Sequence, residues 1–144
     1  MSQECYSKME VVITDKIEAA DEELIFQGLL EYNLAKLEDK KREDLGIYID
    51  EAGERIGGLI GNTHGNWLSV KYLWIKQEFR RQNIGSRILQ QAEEIAKIRG
   101  CKFVFLDTFA FQAPDFYKKH GYKEVFVLEE YPISGKRYYF TKVI

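Results

Sequence analysis

Residues 9–14 (MEVVIT) are mostly apolar and β-branched, which predicts a short first strand. From Ile17 the period changes. Leu24, Ile25, Leu29, Leu30, Leu34 and Leu37 recur at helical spacing, and Glu18, Asp21, Glu22 and Glu23 place negative charge where a helix N-terminus favours it. One long helix or two consecutive helices fill residues 17–38. The seven consecutive charges of residues 38–44 then read as a solvated loop. Residues 47–50 and 55–62 predict two strands around the turn Ala52-Gly53-Glu54.

A second turn, Thr63-His64-Gly65-Asn66, leads into residues 67–75, which are apolar on both alternating faces, as in an interior strand. After a break at 76–82, Ile84, Ile88, Leu89, Ala92, Ile95 and Ala96 mark an amphipathic helix that Gly100 ends. Residues 102–106 read as a short apolar strand and residues 113–120 as a short helix stopped by Gly121. Residues 122–128 and 137–143 supply the last strands. The order β-α-α-β-β-β-α-β-α-β-β contains one strand–helix–strand crossover. That crossover implies one parallel pair in an otherwise antiparallel sheet, a mixed α/β domain of α+β type. Neither a repeat nor a linker divides the chain, so residues 1–144 read as a single domain.

Composition narrows the function classes. With 45% hydrophobic and 31% charged residues the chain can build a core, which excludes a disordered or low-complexity protein. Cys5 and Cys101 lie far apart, with no partner at metal-ligand spacing, so neither a disulfide scaffold nor a zinc ribbon is expected. The start Met1-Ser2-Gln3-Glu4-Cys5 is polar, and no apolar run approaches the roughly 20 residues of a membrane helix. A cytoplasmic protein without a membrane partner is the expectation.

The net charge of −2 excludes a generally basic nucleic-acid binder but conceals an asymmetry. Residues 15–54 hold 13 acids and 5 bases, whereas residues 66–123 hold 5 acids and 11 bases. The basic half contains the stretch richest in chemistry, residues 73–86 (LWIKQEFRRQNIGS). It reads as a buried strand, a cationic turn and a helix N-terminus. Free backbone N–H groups and the positive end of the helix dipole make such a junction an anion site. Gly85 allows close backbone approach, Asn83 tolerates the left-handed conformation, and Ser86 brings a hydroxyl. Arg80, Arg81 and Arg87 add charge-assisted donors. An ordinary strand–helix loop with solvated arginines is the alternative that spacing alone leaves open.

Arg80-Arg81-Gln82-Asn83-Ile84-Gly85 resembles the Arg/Gln-x-x-Gly-x-Gly/Ala signature of the GNAT family of N-acetyltransferases. The segment Ala113-Pro114-Asp115-Phe116-Tyr117-Lys118-Lys119-His120-Gly121-Tyr122 resembles that family's Ala-x-x-Phe/Leu-Tyr-x-x-x-Gly-Phe/Tyr segment downstream. The resemblance implies the GNAT fold, acetyl-coenzyme A (acetyl-CoA) as cofactor, and transfer of its acetyl group to a primary amine of a small molecule, protein or peptide. By position, Leu73, Trp74 and Ile75 would line the pantetheine arm. Backbone groups from Arg81 through Gln82, Asn83, Ile84, Gly85 and Ser86 would hold the pyrophosphate. Tyr117 would protonate the leaving thiolate. Ala110 stands where many relatives carry a coenzyme-contacting Asn; Gln112 either replaces that contact or starts the next helix. The resemblance also makes a homodimer one candidate assembly, although no residue specifies an interface.

No strand carboxylate stands out as general base. Asp107, at the end of the strand predicted at 102–106, is the nearest candidate and reads more simply as a loop-entry residue; deprotonation through water is the other route. His64 and His120 read as surface residues. Phe109, Phe111 and the loop Tyr131-Pro132-Ile133-Ser134-Gly135-Lys136 are candidates for the acceptor side. A non-catalytic acyl-CoA sensor on the same fold is the alternative function.

Overall fold

A computed structural model describes residues 8–38 and 41–144, in two compact units divided at Glu38. The first unit contains the helix α1, Ala19–Leu34. Its opening turn is fixed by Asp21 and Glu22 N–H donating to the Glu18 carbonyl, and Gln27 bonds Glu23 one turn earlier at 2.7 Å. Of the one or two helices expected at 17–38, one forms. Residues 9–14 are not a strand. β-Branched side chains suit an extended chain, but a strand exists only where its backbone finds a ladder partner, and this segment has none among the described residues. Cys5 and the start of the chain lie outside the described residues.

The second unit is one six-stranded mixed sheet, in the order β1-β2-β3-β4-β6-β5. The strands are β1 (Arg42–Glu51), β2 (Glu54–His64), β3 (Trp67–Ile75), β4 (Phe103–Phe109), β5 (Lys123–Leu128) and β6 (Arg137–Val143). Helix α2 (Ile84–Ile98) crosses from β3 to β4, and the short α3 (Pro114–Lys119) follows β4. The crossover makes β3 and β4 the one parallel pair, as the element order requires. Among the described residues, no helix is long and apolar enough to cross a membrane.

Two strands run longer than their apolar residues suggest. β1 begins at Arg42, inside the charged run read as loop, because an edge strand keeps one face and one backbone edge in water. β4 continues through Asp107 and Thr108 to Phe109, so Asp107 is a mid-strand residue rather than a loop entry. Its side chain lies on the half-open face, while Val104, Leu106 and Thr108 point into the core.

Helix α2 buries Ile88, Leu89, Ala92, Glu93 and Ala96 as one stripe. They meet Leu59, Leu68, Val104, Leu106 and Phe140 from the sheet. Glu93 is 8% exposed and accepts from the Tyr122 hydroxyl at 2.7 Å and from Lys142 Nζ at 2.9 Å, so its burial is compensated. At the other end of α2, Arg99 ties the helix to β1 and β2 through the Asp44 carbonyl and Thr63 Oγ1.

A bulge positions the functional end of β3. The β2–β3 register shifts at Ile60/Gly61, leaving Lys71 without a partner. The shift resets the alternation, so Leu68 and Val70 before it and Leu73 and Ile75 after it all pack against the core. Trp74 and Tyr72 point the other way and are exposed. Beside this end, a Cβ on Gly57 would come within 2.7 Å of the Trp74 carbonyl oxygen, so only glycine lets β2 and β3 approach here.

Candidate functional site

β3 and β4 pair only through Trp67, Leu68 and Ser69, opposite Phe103, Val104 and Phe105. Beyond those three pairs the strands separate. From Val70 to Ile75, β3 has β2 on one side and no strand on the other, so backbone polar groups are offered to a ligand that can act as a strand. A groove of about 600 Å³ opens there, floored by Leu73, Trp74 and Ile75.

The connection from β3 to α2 forms one end of the groove. A 3₁₀ turn, Gln77–Phe79, folds the chain back, and Arg80 Nε bonds the Ile75 carbonyl at 2.8 Å, securing the loop to the strand end. Arg81 and Asn83 both take left-handed backbone conformations, with φ of 64° and 60°. As a result, none of the six backbone N–H groups from Arg81 through Ser86 has an acceptor within the described protein. The first bond of α2 runs from Arg87 N–H to the Asn83 carbonyl. Six consecutive unpaired donors at a helix N-terminus form a nest for an oxyanion. Arg80, Arg81 and Lys119 line the groove, and no carboxylate does.

Helix α3 is the opposite wall. Tyr117 is 8% exposed, its ring packed against Phe116, Tyr122 and Phe140. Its hydroxyl has no hydrogen-bond partner, yet no buried side-chain polar atom among the described residues is unsatisfied, so the hydroxyl opens on the groove. Burial, and then the charge of Asp107, push its pKa up to about 12. The Oε1 of Gln112 accepts from Phe109 N–H at 2.7 Å and from Thr108 Oγ1 at 3.1 Å, bracing the turn after β4, and the residue lines the groove.

On the β4–β6 side, Asp107 Oδ2 accepts from Arg137 Nε at 2.7 Å, and Arg137 also bonds the Tyr131 hydroxyl at 3.3 Å. Three rings, Phe109, Tyr131 and Tyr139, hold their centroids 5.4–5.7 Å from this guanidinium. The Asp107 bond keeps Arg137 protonated well beyond the ordinary arginine range. The Asp107 carboxylate is already engaged by Arg137, which weakens its case as general base.

Of the residues singled out in the sequence, Leu73, Trp74, Ile75, Arg80, Arg81, Asn83, Ile84, Gly85, Ser86, Gln112 and Tyr117 all line this one groove. Gln82 and Arg87 do not; both are exposed beside it. The structure adds Phe79, Phe116, Lys119 and His120. His120 reads in the sequence as a surface residue before a glycine stop. The signal that could have placed it is its position three residues after Tyr117, on the same helical face.

A sheet split at its one parallel pair, with an anion nest on one side and a buried tyrosine on the other, is the architecture of an acyl-coenzyme A acyltransferase. Residues 43–124 match the family described as acetyltransferase (GNAT) domain. The chain is 34% identical to an acetyltransferase of Agrobacterium fabrum over 81% of its own length and 86% of the relative's. It is 39% identical to the blasticidin-S acetyltransferase of Streptomyces morookaense over 57% of its length and 61% of that protein's. A crystal structure of an acetyltransferase from Bacillus cereus superposes with a TM-score of 0.84 at 33% identity, covering 96% of this chain and 99% of that one. The chain belongs to the GNAT acetyltransferase family and is by that membership an acyltransferase.

Proposed function

We propose that the protein transfers the acetyl group of acetyl-CoA to a primary amine of a small molecule, with the amine attacking the thioester directly. The observation that carries this reading is the run of six unpaired N–H groups, Arg81 through Ser86, at one end of a groove whose other wall is Tyr117. These groups fit the cofactor's chemistry. The nest suits a diphosphate, the open edge of β3 suits the amide-bearing pantetheine arm, and the basic lining suits an anion. Acetyl-CoA when bound supplies an activated acetyl group on a good thiol leaving group. Acetylation of blasticidin S by one relative favours a small-molecule acceptor over a protein one.

The chain's own groups then divide the work. Residues 81–86 hold the phosphates and fix the reacting end at the strand split. Leu73, Trp74 and Ile75 orient the arm along β3 and keep water from it. Tyr117 keeps its proton throughout the neutral range and can give it to the departing sulfur, whose thiol has a reference pKa of about 8.5. The paired state of Asp107 favours deprotonation of the acceptor through water or in free solution.

The test is thiol release from acetyl-CoA by the purified chain across a panel of primary amines that includes blasticidin S. Amine-dependent release is expected. Folded protein that binds no acetyl-CoA would refute the proposal. Binding without turnover on any amine would instead support the sensor reading.

A further inference from the structure

The Ser86 hydroxyl and the His120 imidazole meet at 2.8 Å, Oγ to Nε2, across 34 residues of sequence. Both are partly buried and both line the groove. Ser86 is the third residue of α2 and the last of the six with an unpaired N–H. The His120 ring packs on Phe116 with centroids 4.8 Å apart.

A serine hydroxyl has one proton and two lone pairs. When Nε2 carries a proton it donates to Oγ, and the serine proton is left to point into the groove. The pair then behaves as one extended donor beside the nest. The charges around it have one sign. Arg80 and Arg81 face the groove from the loop, and Lys119 from the end of α3 itself. The first turn of α2 has no acid, and Lys142 of β6, which approaches Gly121, is committed to Glu93. With no carboxylate in the lining, an imidazolium at this point finds its counter-charge only in a bound anion.

We propose that His120 is a further coenzyme-binding residue. It positions the Ser86 hydroxyl toward the diphosphate and, when protonated, adds a cation to the phosphate end of the groove. This rests on the acetyl-CoA reading above and extends it to a residue that neither sequence motif marks.

The experiment compares wild type with His120→Gln, Ser86→Ala and the double variant at neutral pH, using two probes. Coenzyme A carries the diphosphate; S-acetylpantetheine lacks it. Affinities are read by isothermal titration calorimetry. His120→Gln is expected to weaken coenzyme A binding about tenfold, the size of one charge-assisted hydrogen bond. S-acetylpantetheine affinity is expected to stay unchanged. The double variant should lose less than the sum of the single losses, because the two residues act as one donor. Equal losses for both probes would mean that His120 only shapes the groove, and would overturn the proposal. So would a coenzyme A affinity that His120→Gln leaves intact. Failure of wild type to bind either probe would instead refute the cofactor reading itself.

Discussion

Asp107 and Arg137 are bonded diagonally across β4 and β6, Oδ2 to Nε at 2.7 Å, although each faces a different residue in the strand register. The bond places a net-neutral pair beside Tyr117, where the sequence offered a lone carboxylate. If Asp107 were the general base, removing its charge would remove most turnover. With the pair intact, Asp107→Asn is expected to lower kcat by less than about tenfold, below the usual range for a lost acid–base group. Arg137→Met should be worse than Asp107→Asn. It strands a half-buried carboxylate and also frees Tyr131, which the guanidinium ties to the sheet. Steady-state kinetics on both variants checks this. A loss beyond about a hundredfold for Asp107→Asn alone would reinstate it as the base.

Tyr117 gives the complementary prediction. Tyr117→Phe keeps the ring packed against Phe116, Tyr122 and Phe140 and removes only the hydroxyl that opens on the groove. Turnover should fall about a hundredfold or more while the KM for acetyl-CoA stays nearly constant. The pH profile follows from the sign of the shift. A hydroxyl whose pKa is pushed up to about 12 is still protonated wherever the assay is practicable, so it imposes no alkaline limb below that pH. The rate should rise with pH as the acceptor amine loses its proton and then reach a plateau. A fall in kcat between pH 8 and pH 10 would place the acid elsewhere.

The fold was most legible where burial dictates composition. The boundaries of β3 at Trp67 and Ile75 match the expected ones, and Leu68, Val70, Leu73 and Ile75 pack on the core, whereas Tyr72 and Trp74 on its other face are exposed. β1 and β4 extend beyond expectation because Arg42, Glu43, Asp44 and Asp107 sit on faces or edges that remain wet, where strand pairing tolerates charge. Residues 9–14 show the reverse failure, since strand-like composition does not create a pairing partner. The strand, turn and helix start that leave N–H groups 81–86 unpaired were legible because they lie within 14 residues of sequence. The Ser86–His120 and Asp107–Arg137 pairs were not, because 34 and 30 residues separate their members and only the sheet brings them together.

Asn83 stands where the family signature has its first glycine, and its φ of 60° explains what is required there. Asparagine visits the left-handed region at lower cost than other non-glycine residues, and the nest depends on that turn. Asn83→Gly should therefore preserve both stability and acetyl-CoA affinity. Asn83→Ala should cost about 1 kcal/mol by strain and weaken acetyl-CoA binding, because relaxing φ turns the donors away from the groove. Thermal melts with and without coenzyme A separate the two effects. Equal behaviour of the two variants would show that the backbone conformation at residue 83 does not govern binding.

The buried contact between Tyr122 and Glu93 leads to a stability prediction with a defined pH window. Burial, followed by the charge of Glu93 and the 2.7 Å bond to it, pushes the Tyr122 pKa far above the ordinary tyrosine range. Burial acts the same way on Tyr117, whose pKa rises to about 12. A folded-state pKa raised above the unfolded value gives stability that is full below the unfolded pKa and is lost as pH climbs towards the folded one. Free tyrosine ionises near 10, so stability should hold through neutral pH and begin to decline above about pH 10. Tyr122→Phe should lower stability at pH 7 by about 1–3 kcal/mol, the usual cost of a hydrogen bond to a buried charged group. It should also make the alkaline decline shallower, since one of the two strongly shifted hydroxyls is gone. Urea midpoints at pH 7, 9 and 11 for wild type and Tyr122→Phe measure both effects. If the two proteins lost stability in parallel between pH 9 and pH 11, the proton on Tyr122 would not be linked to folding.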